Sequence, residues 1–94
     1  MKIEKPNKAS LKNALISMTD IDTDVVEIGC ICFDITSAKY MEIYQDKEEE
    51  FILAHFDYDE IDSIELNHEA SGEAFSAVIT SGRDVLKLDT DIFR

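Results

Sequence analysis

Apolar side chains at Leu11, Ala14, Leu15 and Met18 repeat at steps of three and four, which predicts an amphipathic helix over residues 7–18. Asn7, just after Pro6, is its expected N-cap, and Lys8 and Lys12 fall together on the opposite side. From Thr19 to Asp24 the period is lost, and the segment reads as a connection. The run from Val25 to Ile35, VVEIGCICFDI, is rich in β-branched residues and has no helical stripe, so it predicts one strand buried on nearly both sides. Further strands are predicted at Lys39 to Gln45, Phe51 to Phe56, Ser63 to Asn67, Ala74 to Thr80 and Val85 to Asp89.

The connections between these strands are short. A parallel pair needs a crossover of about a dozen residues or more, and no second helical pattern is present to supply one, so the strands should be antiparallel. Ser81-Gly82 is the clearest hairpin turn, because glycine accepts the positive φ that tight turns require; Asp46 to Glu49 is a weaker one. The pattern therefore predicts an α+β fold in which an N-terminal helix packs on a single five- or six-stranded, mainly antiparallel sheet. Residues 1–94 are expected to form one small domain.

Composition adds location. An apolar share of 45% is that of a folding chain, and no run of 18 apolar residues is present to span a bilayer. The start, MKIEKPNK, lacks the apolar stretch of a signal peptide, and two cysteines are too few for a disulfide framework. A cytoplasmic protein without membrane contact is expected.

Charge changes the picture most. The net charge is −12, yet residues 1–18 sum to +3, leaving −15 on residues 19–94. Between Met41 and Glu73 stand twelve acids and one base, Lys47. Such a field repels nucleic acids and anionic membranes, so direct nucleic-acid binding is not expected. The excess is larger than solubility needs, since a magnitude of about 2 to 8 suffices for a small domain. Acids on alternate strand positions recur every ~6.7 Å, against one charge every ~3.4 Å on a DNA strand, so two neighbouring rows approach the charge density of a nucleic acid. A basic protein partner is expected, with Glu48, Glu49, Glu50, Asp57, Asp59, Glu60, Asp62 and Glu65 as the binding residues. The implied activity is inhibition of a nucleic-acid-binding protein by mimicry, the physical logic shared by anti-CRISPR, anti-restriction and nuclease-immunity proteins.

Candidate chemistry is sparse. Cys30 and Cys32 share a strand face, but Cys-x-Cys with the distant His55 and His68 is not a zinc spacing, and two small buried side chains are expected instead. Asp20, Asp22 and Asp24 resemble the opening of a calcium loop, yet the sixth and twelfth positions hold Val25 and Ile31 where glycine and glutamate are required. Counted from Asp57, the twelfth position is His68, so Asp57, Asp59 and Asp62 fail likewise. His55 shares a face with Phe51 and Leu53 and is expected to be packed. No nucleophile elbow, phosphate-binding glycine loop or His-Glu-x-x-His is present, so neither enzyme activity, a metal nor a cofactor is expected.

The stretch from Phe56 to Leu66 resembles the strand-turn-strand rhythm of bacterial pleckstrin-homology-like domains, which usually carry their helix at the C-terminus, whereas here the predicted helix comes first. That resemblance, and the edge strands of an open sheet, imply the alternative of a small β-rich adaptor or assembly subunit, including a homodimer.

Overall fold

The computed structural model describes residues 1–28, 31–45, 52–68 and 75–89. Cys30, Glu48, Glu49, Glu50, Phe51 and the Asp46 to Glu49 turn lie outside the described residues. In chain order the elements are β1 (Lys2–Glu4), α1 (Lys8–Thr19), β2 (Val25–Ile28), β3 (Ile31–Asp34), β4 (Tyr40–Tyr44), β5 (Ile52–Asp57), a 3-10 turn (Tyr58–Glu60), β6 (Ser63–His68), β7 (Phe75–Ser81) and β8 (Asp84–Asp89). The class is α+β, and every strand pairing among the described residues is antiparallel. The expected single sheet is corrected to two four-stranded sheets, ordered β2-β3-β4-β5 and β1-β6-β7-β8.

Two features produce the second sheet. The apolar run Val25 to Ile35 is two strands, β2 and β3, paired with Ile28 opposite Ile31. Its buried positions are Val26 and Ile28 in β2, then Ile31, Cys32 and Phe33 in β3 and Ile35 beyond it, so alternation holds in β2 and gives way to consecutive burial in β3. The expected burial on nearly both sides therefore holds for β3, while the expected single strand is corrected to a paired β2 and β3. The second feature is β1, whose three residues include a single apolar side chain, Ile3, too short a pattern to predict a strand. It pairs with β6, with Lys2 opposite Glu65.

The chain passes between sheets through the 3-10 turn. The Tyr58 N–H bonds the Lys39 carbonyl at 2.9 Å, holding the exit from β5 beside the entry to β4. Asp62 receives the chain on the other side, its N–H donating to the Thr80 carbonyl at 2.8 Å while its own carbonyl accepts from the Lys5 N–H at 2.9 Å. The stretch Phe56 to Leu66 is thus strand, turn and strand, but its two strands belong to different sheets.

Each sheet has one apolar face, and both faces contribute to a common core. Phe33 from β3 meets Phe75 from β7 edge to face, with ring centroids 5.8 Å apart and planes at 86°, a contact that contributes about 0.5–1.5 kcal/mol beyond its buried area. Ile31, Met41 and Ile43 from one sheet, and Ile64, Leu66 and Ile79 from the other, are wholly or almost wholly buried around it. Leu11 and Leu15 of α1 are fully buried in the same cluster, so the helix serves a core built by both sheets rather than the face of one. Among the described residues, no helix is long and apolar enough to cross a membrane.

Asn7 caps α1 as predicted. Its side chain accepts from the Ser10 N–H at 2.8 Å and its own N–H donates to Ser10 Oγ at 2.9 Å, a reciprocal capping box. The helix ends at Asp20, which takes the left-handed conformation (φ 62°) and donates its N–H to the Ile16 carbonyl at 2.7 Å. Lys8 and Lys12 are turned onto the following loop. Lys12 lies 3.1 Å from Asp24 and 3.5 Å from Asp22, and Lys8 reaches Asp24 at 3.4 Å and donates to the Thr36 carbonyl at 2.8 Å. The positive N-terminal segment therefore docks on its own chain.

Two substitutions test the helix ends. Asn7→Ala should lower unfolding free energy by about 1 kcal/mol through loss of the cap. Asp20→Gly should raise it by a fraction of about 1 kcal/mol by relieving a left-handed non-glycine position. Urea denaturation of the two variants beside the parent reads both signs.

Candidate functional site

Because side chains alternate along a strand and opposed residues share a side, the pairing registers define the outer face of each sheet. On the β2–β5 sheet, Val25 stands opposite Asp34, Asp34 opposite Glu42, and Glu42 opposite His55; Tyr40 stands opposite Asp57, and Glu27 lies two residues along from Val25. This face carries four carboxylates, Glu27, Asp34, Glu42 and Asp57, and no lysine or arginine among its described strand residues. Three of the exposed large apolar side chains, Val25, Tyr40 and Ile52, lie on it too. Cys32 has the same parity but is wholly buried.

The outer face of the other sheet is balanced by comparison. Lys2, Glu4, Glu65, Lys87 and Asp89 alternate in sign across it. Among the described strand residues the surplus negative charge therefore lies mainly on one of the two sheet faces, four acids without a lysine or arginine against three acids with two lysines. Asp34 and Glu42 are directly opposed like charges, an arrangement that costs stability in an antiparallel sheet.

At the edge of the acidic face, His55 is held by three neighbours, Glu42, Asp57 and Tyr40. Its Nδ1 lies 3.0 Å from Glu42 Oε2, its Nε2 lies 3.4 Å from Asp57 Oδ1, and the Tyr40 ring is tilted over it at 4.6 Å between centroids. The Tyr44 hydroxyl donates to the other Glu42 oxygen at 3.0 Å, fixing that carboxylate in place. The hydrogen bond to Glu42 is the main cause that holds the His55 pKa above its ordinary value of 6.5; burial opposes the rise and Asp57 adds to it. The expectation of a packed His55 is corrected, since its side chain is 46% exposed. A register shift at Ile43/Tyr44 explains the change: Leu53 packs against the core while Ile52 stands opposite Tyr44, so the parity linking Leu53 to His55 is broken.

The acids expected to bind a partner are dispersed. Asp57 belongs to the acidic face. Asp59 and Glu60 are exposed on the 3-10 turn and line an open cleft of about 900 Å³ with Asp57, Lys5 and Lys39. Asp62 accepts the Gly82 N–H at 2.8 Å and pairs with Lys5 at 3.1 Å, and these contacts, the backbone bond first, lower its pKa. It ties the β7-β8 turn to the crossing between sheets. Glu65 lies on the other sheet, opposite Lys2. Glu27, Asp34 and Glu42 join the face without having been selected from sequence; only correct strand pairing would have found them.

Among the described residues, no three histidine, cysteine, aspartate or glutamate side chains are grouped to hold a metal. Asp22 and Asp24 face the lysines of α1, and Lys12 is the first cause of a lowered Asp24 pKa. Comparison with protein-family models, with curated proteins and with solved structures finds no match.

His55 gives a pH test with a defined sign. A histidine pKa raised on folding adds stability that is fully present below about 6.5, its unfolded value, and lost as pH rises through the folded value. NMR titration should place the His55 pKa above 6.5, and Glu42→Gln should bring it down. In the parent the unfolding midpoint should fall across that window by more than in His55→Gln.

Proposed function

We propose that this protein is a non-enzymatic antagonist that binds a basic, nucleic-acid-binding protein through the outer face of the β2–β5 sheet. The observation carrying this reading is the concentration of Glu27, Asp34, Glu42 and Asp57 on a described strand surface without lysine or arginine, beside a second sheet whose outer face is balanced. Neighbouring strands stand ~4.8 Å apart, and the four carboxylates lie one on each of the four strands, with Asp34 directly opposite Glu42, so negative charge runs across the whole width of the face.

Binding proceeds by exchange. Lysine and arginine side chains that would neutralise phosphates meet carboxylates instead, and the field of the face speeds encounter. Val25 on edge strand β2, Ile52 on edge strand β5 and Tyr40 on β4 supply apolar contact beside the charges. Asp59 and Glu60 extend the negative surface round the end of the sheet into the cleft. The alternative, an adaptor or self-assembling subunit using a sheet edge, draws on β8, an edge strand with Val85 exposed.

An octa-arginine peptide serves as the basic probe. Replacing Glu27, Glu42 with Gln and Asp34, Asp57 with Asn should weaken its binding about tenfold or more at low salt, taking each exposed charge at a few tenths of a kcal/mol or above. The matched change of Glu4 and Glu65 to Gln on the other sheet should have less effect. Duplex DNA should compete with the protein for peptide. Equal binding by parent and face variant would sink the reading, and concentration-dependent dimerisation in light scattering would favour the adaptor.

A further inference from the structure

The acidic face carries a titratable base, His55, among its carboxylates. His55 is the group on it that changes charge near neutral pH, and it sits against two of the four carboxylates, 3.0 Å from Glu42 and 3.4 Å from Asp57. We propose that protonated His55 acts as an internal competitor, occupying Glu42 and Asp57 so that the face binds a basic partner more weakly, and that deprotonation releases these carboxylates to the partner. The inference rests on the acidic face being the binding surface.

The neighbours favour the charged ring. Tyr40 presents its face to it, an arrangement that attracts a cation. Tyr44 pins Glu42 from the far side, so this carboxylate stays beside the ring rather than turning to solvent. Asp34, opposite Glu42 on β3, adds negative potential, and Lys39, preceding β4, lines the same cleft as Asp57 with the opposite sign. The balance of these groups lies toward holding the proton, in agreement with the raised His55 pKa. A basic partner reverses it. Its positive charges compete for the same carboxylates, and by thermodynamic reciprocity whatever His55 protonation takes from partner affinity, the partner takes from His55 proton affinity.

The test uses the full chain and the octa-arginine peptide, titrated from about pH 6 to about pH 8.5, a range that brackets the ordinary histidine pKa while carboxylates stay ionised. Affinity should rise about threefold across this range for the parent, the effect of one exposed charge, and should be flat for His55→Gln. The NMR-detected His55 pKa should fall when peptide saturates the protein. Asp57→Asn should reduce the slope with pH, which keeps the test readable should His55→Gln fail to fold. The same slope in His55→Gln, or a His55 pKa unmoved by peptide, overturns this inference while leaving the face as the binding surface. Peptide bound equally by the parent and the four-amide face variant at every pH overturns the binding reading itself, and this inference with it.

Discussion

Two sheets share one core, and the rest of the structure follows from that constraint. Each sheet has one apolar side, and neither has enough strands to wrap around on itself, so the two must close against each other. The Phe33 and Phe75 contact joins the sheets at that closure. Leu11, Ala14 and Leu15 of α1 add to the same burial, and the lysines on the helix's other side fix it to the loop after it. With the inner faces committed to one another, whatever the protein offers to other molecules must come from outer faces, turns and edges.

The distribution of positive charge then decides which outer face differs. Lys5, Lys8 and Lys12 are engaged with Asp62, Asp24 and Asp22, holding β1 and α1 to the body of the fold. Lys2 and Lys87 lie across the β1-β6-β7-β8 sheet and offset its acids. Among the described residues the β2–β5 strands are left without such a counterweight, save for His55 at their edge. The net charge of −12 is therefore less informative than its partition, because the acids that matter for recognition are those the chain does not neutralise itself.

Much of the fold was legible in the sequence. The helix came from the spacing of Leu11, Ala14, Leu15 and Met18, its start from Asn7, and five strands from short apolar runs separated by polar connections. The division of residues 25–35 into two strands was hidden because the run stays apolar across it, Ile28 in β2 being followed by the consecutively buried Ile31, Cys32 and Phe33 of β3. His55 was misplaced for a related reason, since one register shift between β4 and β5 cancels the alternation that would align it with Leu53. The candidate face was the least legible part. Asp57, Asp62 and Glu65 lie close in sequence, yet they end on one sheet, in the crossing between sheets and on the other sheet, because the chain changes layer in that interval. Proximity along an acidic run is no measure of proximity on a surface when a layer change falls within it.

The order of the strands has a further meaning for how the molecule is made. The β2–β5 sheet is drawn from one interval of chain, residues 25–57, each strand paired with the next. The other sheet joins residues 2–4 to strands that begin at Ser63, so one of its pairings, β1 with β6, spans most of the chain while the other two join sequence neighbours. Local pairings close sooner than distant ones, and a growing polypeptide emerges from its start. Until β7 joins it, the apolar side of the first sheet lacks the Phe75 ring that meets Phe33 in the finished core. The strands from β6 onward thus act as the cover of a face that the earlier part of the chain has already assembled.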